Sequence, residues 1–314
     1  MKPITGSFLL CCTLSLVACG PSGRTGTGDD TMGDDTTGPD ASIGEPRKCN
    51  KMDLVFVVDD SGSMSEEQSN LASNFPMFAS VLQNYVNEAG EHVDFRIAVT
   101  TTGKDISYSI NLGGTSLPQT EHGDNGKFKN NCGVATRWLD AATPNLGTTL
   151  GCRANVGTGG PSYEMPLMMA KWSLSDRVTS GENAGFLRDD ALLGVVMLTD
   201  EDDGSSTDNN FVIDASNPNS GPALTFNPAD AIQFFDTLKG HRSRWAAGVI
   251  AGETSCNSSF GNAAEASRLK QFVQMANASG TQQAVFSSIC AGNLTMALTD
   301  VLAKFQAACG GIIL

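Results

Sequence analysis

An alternation of short apolar runs with longer amphipathic stretches constrains the fold of this chain most. Residues 54–58 are apolar at every position, which is typical of a strand buried on both faces of a parallel sheet. Residues 95–100 and 191–198 form similar runs, and helical stretches lie between and after them. Strands that alternate with helices build parallel sheets. The sequence therefore predicts an α/β fold with a doubly wound, mostly parallel central sheet and helices on both faces.

The remaining elements follow from the same periodicities. Apolar residues recur at spacings of three and four from Leu71 to Tyr85, which indicates a helix that Pro76 could kink or divide. Asn227, Pro228 and Gly240 are typical of the two ends of another helix. Further strands are predicted at 245–251 and 283–289, and further helices at 165–172, 269–276 and 294–305. Residues 102–157 form a polar, Gly- and Asn-rich insertion, which we expect to be rich in loops.

The amino-terminal residues predict export and a lipid anchor. Lys2 is followed by an apolar stretch over residues 8–17, too short to span a bilayer but long enough for a signal peptide. The stretch ends in Leu-Val-Ala-Cys at 16–19, which resembles the lipobox of bacterial lipoproteins. That resemblance implies cleavage before Cys19 and lipid on its sulfur. We therefore predict a signal peptide at 1–18, a Gly/Thr/Asp-rich tether at 19–46, a folded domain at 47–314, and a place in the bacterial envelope, at the outer membrane.

The cysteine count agrees with export. Of nine cysteines, Cys11 and Cys12 lie in the predicted signal and Cys19 would carry lipid, which leaves six. An even number, no CxxC pair and an oxidising compartment indicate three disulfides, among fifteen possible connectivities. The predicted pairing joins cysteines close in sequence and clasps the two ends of the domain: Cys132 with Cys152, Cys256 with Cys290, and Cys49 with Cys309. A zinc site is not supported, because its ligand spacing is missing.

The formal charge limits the partners. A net charge of −14 disfavours nucleic acid and anionic lipid head groups, since both would repel the protein. We expect contact with the membrane through the lipid anchor only, whereas divalent cations are plausible partners.

Two predicted strands end in oxygen-rich residues. Strand 54–58 runs into Asp59, Ser61 and Ser63, a DxSxS pattern, and strand 191–198 runs into Asp200. Ligands of such sheets lie beyond the carboxyl ends of the strands. Carboxylates and hydroxyls on one turn are hard donors that suit an octahedral divalent cation. The residues that follow, 201–203, are all acidic and are compatible with a solvated loop or with a second cation site.

In these motifs the chain resembles the von Willebrand factor A (vWA) family, whose metal-ion-dependent adhesion site (MIDAS) carries DxSxS after its first strand. Residues 185–193 and 198–203 also resemble bacterial lipoproteins with this domain. The resemblance implies that Ser61 and Ser63 bind the metal directly, that Asp59 orients them and that Asp200 is the distal acid. A loop threonine is also expected, with Thr158 as the best match and Ser162 as the alternative. Mg²⁺ is the expected ion, with Mn²⁺ or Ca²⁺ possible.

The resemblance implies recognition rather than catalysis: a partner protein or polysaccharide would supply a carboxylate to the metal, near the insertion at 102–157. One alternative is a structural envelope protein whose metal only stabilises the domain. Another is an aspartic-type hydrolase, because residues 60–62 read Asp-Ser-Gly, but that chemistry needs a second such turn, which the sequence lacks. His92, His122 and His241 fall in polar stretches and form no cluster, and no nucleophile–base pair can be nominated.

Overall fold

The computed structural model describes residues 49–217, 220–258, 261–292 and 294–312. The predicted signal peptide and the whole of the predicted tether, Cys19 included, lie outside these residues, so the domain division and the anchor stay predictions. The strands are β1 (Lys51–Val58), β2 (Asp94–Thr101), β3 (Ile106–Leu112), β4 (Thr115–Glu121), β5 (Trp138–Leu139), β6 (Leu192–Leu198), β7 (Asn210–Asp214), β8 (Trp245–Ala251), β9 (Cys256–Ser258), β10 (Gly261–Ala263) and β11 (Ala284–Ser288). The helices are α1 (Ser65–Gln83), α2 (Leu146–Ala154), α3 (Pro166–Leu174), α4 (Asp176–Thr179), α5 (Pro228–Lys239), α6 (Ser267–Ala276) and α7 (Thr295–Gly310), with short 3-10 helices at Arg242–Arg244 and Ala278–Gly280.

Six strands form the central sheet in the order β11-β8-β6-β1-β2-β5. All neighbours are parallel except β5, which pairs antiparallel with β2 at one edge. The strand β1 lies at the centre, where burial on both faces explains its continuous apolar sequence. The predicted fold class is confirmed.

Helices cover both faces of the sheet. One core contains α1, α2 and α7, and the rings of Phe56, Phe75 and Phe78 meet edge to face within it. The other core contains α3, α5 and α6 around Trp245 and Phe272. Alternate residues of β1 enter the two cores, as the period of a strand requires. In the described part of the chain, no helix combines the length and the apolarity needed to cross a membrane.

Pro76 does not divide α1, which runs unbroken from Ser65 to Gln83. A proline at this position leaves the carbonyl of Ala72, four residues earlier, without its helical donor. Helix α2 packs here through glycines: a Cβ on Gly147 would lie 2.7 Å from the Cα of Pro76, and one on Gly151 would lie 2.8 Å from the Ala72 carbonyl oxygen. Helix α2 therefore packs closely against the turn of α1 that contains the proline.

The insertion at 102–157 contains more regular structure than the loop-rich expectation. It holds the hairpin β3–β4, the edge strand β5 and helix α2, and β7 joins the hairpin in a separate three-stranded sheet. Strand β3 carries an alternating apolar pattern, with Ile106, Tyr108, Ile110 and Leu112 at every second position, a strand signal that the sequence analysis overlooked. Tyr108 packs against Tyr163 and stacks on Phe211, residues that are distant in sequence.

The structure contains three disulfides, and their pairing is the one proposed from the sequence. Cys132–Cys152 fastens the loop before β5 to α2, and Cys256–Cys290 fastens β9 to the loop after β11. Cys49–Cys309 joins the residues just before β1 to the last turn of α7.

Candidate metal centre

The carboxyl ends of β1 and β6 bring Asp59 and Asp200 to the same edge of the sheet. The backbone N–H of Asp59 donates to the Leu198 carbonyl (2.9 Å), and that of Thr199 donates to the Ile250 carbonyl (3.1 Å). The strand ladders therefore continue one residue past β1 and β6, which fixes where both aspartates leave the sheet. Each of the two acids is at most 3% exposed.

A connected set of polar contacts joins the four residues of the two motifs. Asp59 Oδ1 accepts from the Ser61 N–H (2.8 Å), and Asp59 Oδ2 accepts from the Thr199 hydroxyl (2.6 Å). The hydroxyls of Ser61 and Ser63 lie 3.1 Å apart, and the Ser63 side chain is near enough to Asp200 to lower the pKa of its carboxyl group. Ser63 is exposed. The site therefore extends from a buried carboxylate to a hydroxyl at the surface.

Thr158 lies on an exposed loop that is fastened to the DxSxS segment on both sides. The Gln68 side chain bonds to the N–H and carbonyl of Gly157 and also donates to the Asp59 carbonyl (2.8 Å). The N–H of Gly160 donates to the Asp60 carbonyl (2.7 Å), and a Cβ on Gly160 would lie 2.2 Å from Asp60 Cγ. Only glycine allows so close an approach, so the loop is held directly over the strand end.

Ser162, the alternative loop ligand, has other partners. Its N–H and hydroxyl donate to the two carboxylate oxygens of Glu121, at 2.8 Å and 3.0 Å. This contact ties the loop to the end of β4 and engages the Ser162 hydroxyl away from the DxSxS segment.

Three glutamates outside the predicted ligand set surround the same centre. Glu164 is 3% exposed, and its carboxyl group shares a hydrogen bond with Glu201 and interacts electrostatically with Asp59. Glu67, in the first turn of α1, is 1% exposed and interacts with Asp200. Glu201 follows Asp200 directly and was noted only as part of an acidic run. No sequence signal marks Glu164 or Glu67, because the fold brings them in from a loop and a helix.

These acids raise one another's pKa values. Burial raises the pKa of Asp59 to about 6, with a further contribution from the charge of Asp200. Burial likewise raises the pKa of Asp200 to about 6, with contributions from Glu67 and Glu201. Burial, followed by Asp59 and Glu201, holds the pKa of Glu164 far above its usual range. The centre is therefore a set of buried carboxylates that repel one another.

The donor set fits a divalent cation. Asp200 Oδ1, Glu67 Oε2 and Glu164 Oε1 are buried and have no hydrogen-bond partner in the structure, and such atoms are costly to leave unsatisfied. No three His, Cys, Asp or Glu side chains among the described residues form a metal-holding group by themselves. A cation here would be held by the Asp200 carboxylate and by the hydroxyls of Ser61 and Ser63, with Asp59 orienting the serines, a hard-oxygen set that suits Mg²⁺.

The structure answers the open question about residues 202 and 203 with a third arrangement. The carboxylate of Asp202 accepts from the N–H groups of Arg268 and Leu269 at the start of α6. Asp203 is buried and accepts from the Leu167 N–H (3.0 Å) and from the Arg268 side chain (3.1 Å). Both acids therefore fasten helices, so neither a solvated loop nor a second cation site describes them.

The comparisons with known proteins give fold similarities only. No family model matches the chain, and no curated protein sequence matches it. Among solved structures, a mussel byssus proximal thread matrix protein with a zinc-occupied MIDAS motif aligns at 12% identity and a TM-score of 0.40, covering 82% of this chain and 48% of that one. The pilus adhesin SpaC of Lactobacillus rhamnosus GG aligns at 10% identity and 0.42, covering 84% and 31%. The SpRpn10 VWA domain aligns at 10% identity and 0.35, covering 81% and 95%.

The similar structures thus include a VWA domain and a MIDAS-bearing protein, the type of domain that the sequence motifs resemble. This chain spans about half of the mussel protein and a third of the adhesin. TM-scores of this size do not define a function, which has to be inferred from the site itself.

Proposed function

We propose that this domain binds a divalent cation, Mg²⁺ in the first place, and uses it to capture a carboxylate of a partner molecule. Ser61 and Ser63 would contact the ion directly, and Asp59 would orient both serines. Asp200 and Thr158 would supply the remaining protein ligands. A coordination position would remain for the partner. The role is recognition at the bacterial envelope, with Cys19 carrying the lipid anchor and the tether separating the domain from the outer membrane.

The observation that carries this proposal is the concentration of buried carboxylates without a basic partner. The buried acids Asp59, Asp200, Glu67 and Glu164 and the exposed Glu201 approach one another, and the electrostatic contributions between them are repulsive. No Lys or Arg is among the principal influences on Asp59, Asp200 or Glu164. A purely structural acid cluster would be expected to include a cation of the protein's own, as Asp203 has in Arg268. A bound ion supplies the missing charge.

The exposure of the site favours recognition over a purely stabilising role. Ser63 and Thr158 are exposed, so an ion held by them would face solvent and could accept an external carboxylate. A hydrolase is a weaker candidate. Asp60, the acid of the Asp-Ser-Gly turn, faces Asp124 and Lys129, and Asp124 lies in no second turn of that kind.

Calorimetric titration of Mn²⁺ into the metal-free protein tests the cation site. We expect one Mn²⁺ site in the wild type and none in Asp59→Ala or in Ser61→Ala. Ser162→Ala, which also removes a hydroxyl, is the matched control and should keep the site. Unchanged affinity in the first two variants would contradict the assignment. Capture of envelope components by the immobilised protein, with Mg²⁺ or with chelator, then tests recognition, and capture that is indifferent to the chelator would contradict it.

A further inference from the structure

Arg153, in the last turn of α2, is fully buried and has no acidic partner. Its Nη2 donates to the carbonyl oxygens of Val134 (2.7 Å) and Thr136 (2.6 Å), whereas Nε and Nη1 have no hydrogen-bond partner among the described residues. Burial lowers the pKa of Arg153, and no acidic side chain contributes to that pKa. A buried charge without a counter-charge destabilises the folded state, so another interaction has to keep this guanidinium covered.

The cover is a strap formed by residues 132–136, which a disulfide fastens to α2. Cys132 begins the strap and pairs with Cys152, the residue before Arg153. Three of the five strap residues are exposed, so the strap buries little surface of its own. Cys132 has a φ of 64°, a conformation that is unfavourable for a residue with a side chain. Water can replace the two hydrogen bonds from Arg153 once the strap lifts. The disulfide is therefore what favours the closed strap.

This disulfide is accessible from solvent. Cys152 is exposed and lies with Asn131 at an open groove of about 700 Å³ between α1 and α2. Cys49 and Cys309, in contrast, are each 2% exposed. Thiol–disulfide exchange requires that a thiolate reach one of the two sulfur atoms. We therefore expect Cys132–Cys152 to react before Cys49–Cys309.

The last turn of α2 leads directly into the loop that carries Thr158. The N–H of Asn155 donates to the Gly151 carbonyl (3.1 Å) and closes this turn, and Thr158 follows three residues later. A guanidinium that moves out into water displaces the turn that carries it, so an open strap loosens one attachment of the loop. The other attachment, from Gln68 to the Gly157 N–H, remains.

We propose that Cys132–Cys152 is a reducible disulfide, and that its cleavage by a dithiol frees the strap, exposes Arg153 and weakens the attachment of the Thr158 loop. One thiolate of the dithiol attacks Cys152 Sγ and breaks the S–S bond, and Cys132 leaves as a thiolate. The second thiol then attacks the mixed disulfide and releases Cys152. Two electrons pass to the protein, the two cysteines take up the two protons that the dithiol loses, and the dithiol leaves as a cyclic disulfide. The effect on the metal rests on the proposed function, whereas the release of the strap does not.

Graded reduction of the full chain tests which bond breaks first. The oxidised protein is incubated with dithiothreitol, alkylated with iodoacetamide and analysed by peptide mass spectrometry. We expect Cys132 and Cys152 to be alkylated about tenfold faster than Cys49 and Cys309, because exchange depends on access to a sulfur atom. Equal rates or the reverse order would overturn the proposal.

Hydrogen exchange tests the role of Arg153. In the double variant Cys132→Ser with Cys152→Ser, we expect the amides of residues 150–158 to exchange about tenfold faster than in the wild type. Adding Arg153→Met should restore most of the protection, because the side chain under the strap then has no charge to hydrate. Arg137→Met removes another arginine of the same insertion and is the matched control, which should not restore it. The reduced wild type is measured alongside, so the result does not depend on the folding of the double variant.

Exchange that is unchanged after reduction would overturn the strap, and so would a failure of Arg153→Met to restore protection. Calorimetry on the double variant measures the link to the metal. Mn²⁺ should bind more weakly than to the wild type, by at most the roughly tenfold loss expected of Thr158→Ala.

Unchanged Mn²⁺ affinity together with an open strap would overturn the link to the Thr158 loop and leave the proposed function standing. An oxidised wild type that binds no Mn²⁺ would contradict the proposed function, while the exchange experiment would still decide whether the strap opens.

Discussion

Asp200→Asn provides a sharp test of the buried-charge account, because the account predicts that removing this acid stabilises the metal-free protein. Burial and the neighbouring acids raise the pKa of Asp200 from its usual 3.8 to about 6. Because the pKa of this group is higher in the folded state, folding disfavours its charged form. The resulting loss of folding stability is absent below pH 3.8, grows between pH 3.8 and 6, and is complete above pH 6. Two pKa units correspond to about 3 kcal/mol.

Asparagine has the same shape and can keep the contact to Ser63 without the charge. We therefore expect the variant in chelator to gain on the order of 2–3 kcal/mol in unfolding free energy at pH 7.5, and little at pH 4. Mg²⁺, by contrast, should stabilise the wild type and not the variant. At a hundred times its dissociation constant a ligand stabilises the folded state by about 2.7 kcal/mol, and this gain should appear in the wild type and vanish in the variant.

Urea denaturation with the disulfides intact measures the unfolding free energy of each protein. It is carried out in chelator and in Mg²⁺, at pH 4 and at pH 7.5. Ser162→Ala serves as the control, since its hydroxyl bonds to Glu121 and should not change the response to Mg²⁺. Asp200→Asn being less stable than the wild type in chelator at pH 7.5 would refute the reasoning. Retention of the full Mg²⁺ response in Asp200→Asn would refute it as well.

Three further predictions concern the loop ligand, the disulfides and the anchor. Thr158→Ala should weaken Mn²⁺ binding about tenfold or more by calorimetry, while Ser162→Ala should not, and the reverse order would transfer the role to Ser162. Cys49→Ser with Cys309→Ser opens a loop of 260 residues and should lower the unfolding free energy by about 5 kcal/mol in urea titrations; a loss under about 1 kcal/mol would contradict the clasp. Palmitate labelling in a bacterial host should be lost in Cys19→Ser, and labelling that persists would contradict the anchor.

The sequence predicted the sheet and the central part of the site because both depend on local patterns. Runs such as 54–58 identify buried strands, and the residues that follow a strand must lie at its carboxyl end. Asp59, Ser61 and Asp200 could therefore be placed before any coordinates. The pairing β3–β7, by contrast, joins segments about a hundred residues apart, and no periodicity encodes such a contact.

The same limit explains why the acid cluster was only partly foreseen. Glu164 and Glu67 have no motif, and their importance comes from loop and helix packing that brings them near Asp59 and Asp200. For Asp202 and Asp203 the sequence shows a pattern but not its role. They extend a recognisable acidic run, but their partners Arg268 and Leu269 lie far along the chain, so a structural role could not be read from the run itself.

Anomalous diffraction from crystals grown with Mn²⁺ tests the central claim most directly. We expect a single strong peak between Asp200 and the hydroxyls of Ser61 and Ser63, about 2.0–2.3 Å from both hydroxyl oxygens, with a coordination position open to solvent. A map with no peak there, or with its peak at another acidic cluster, would contradict it.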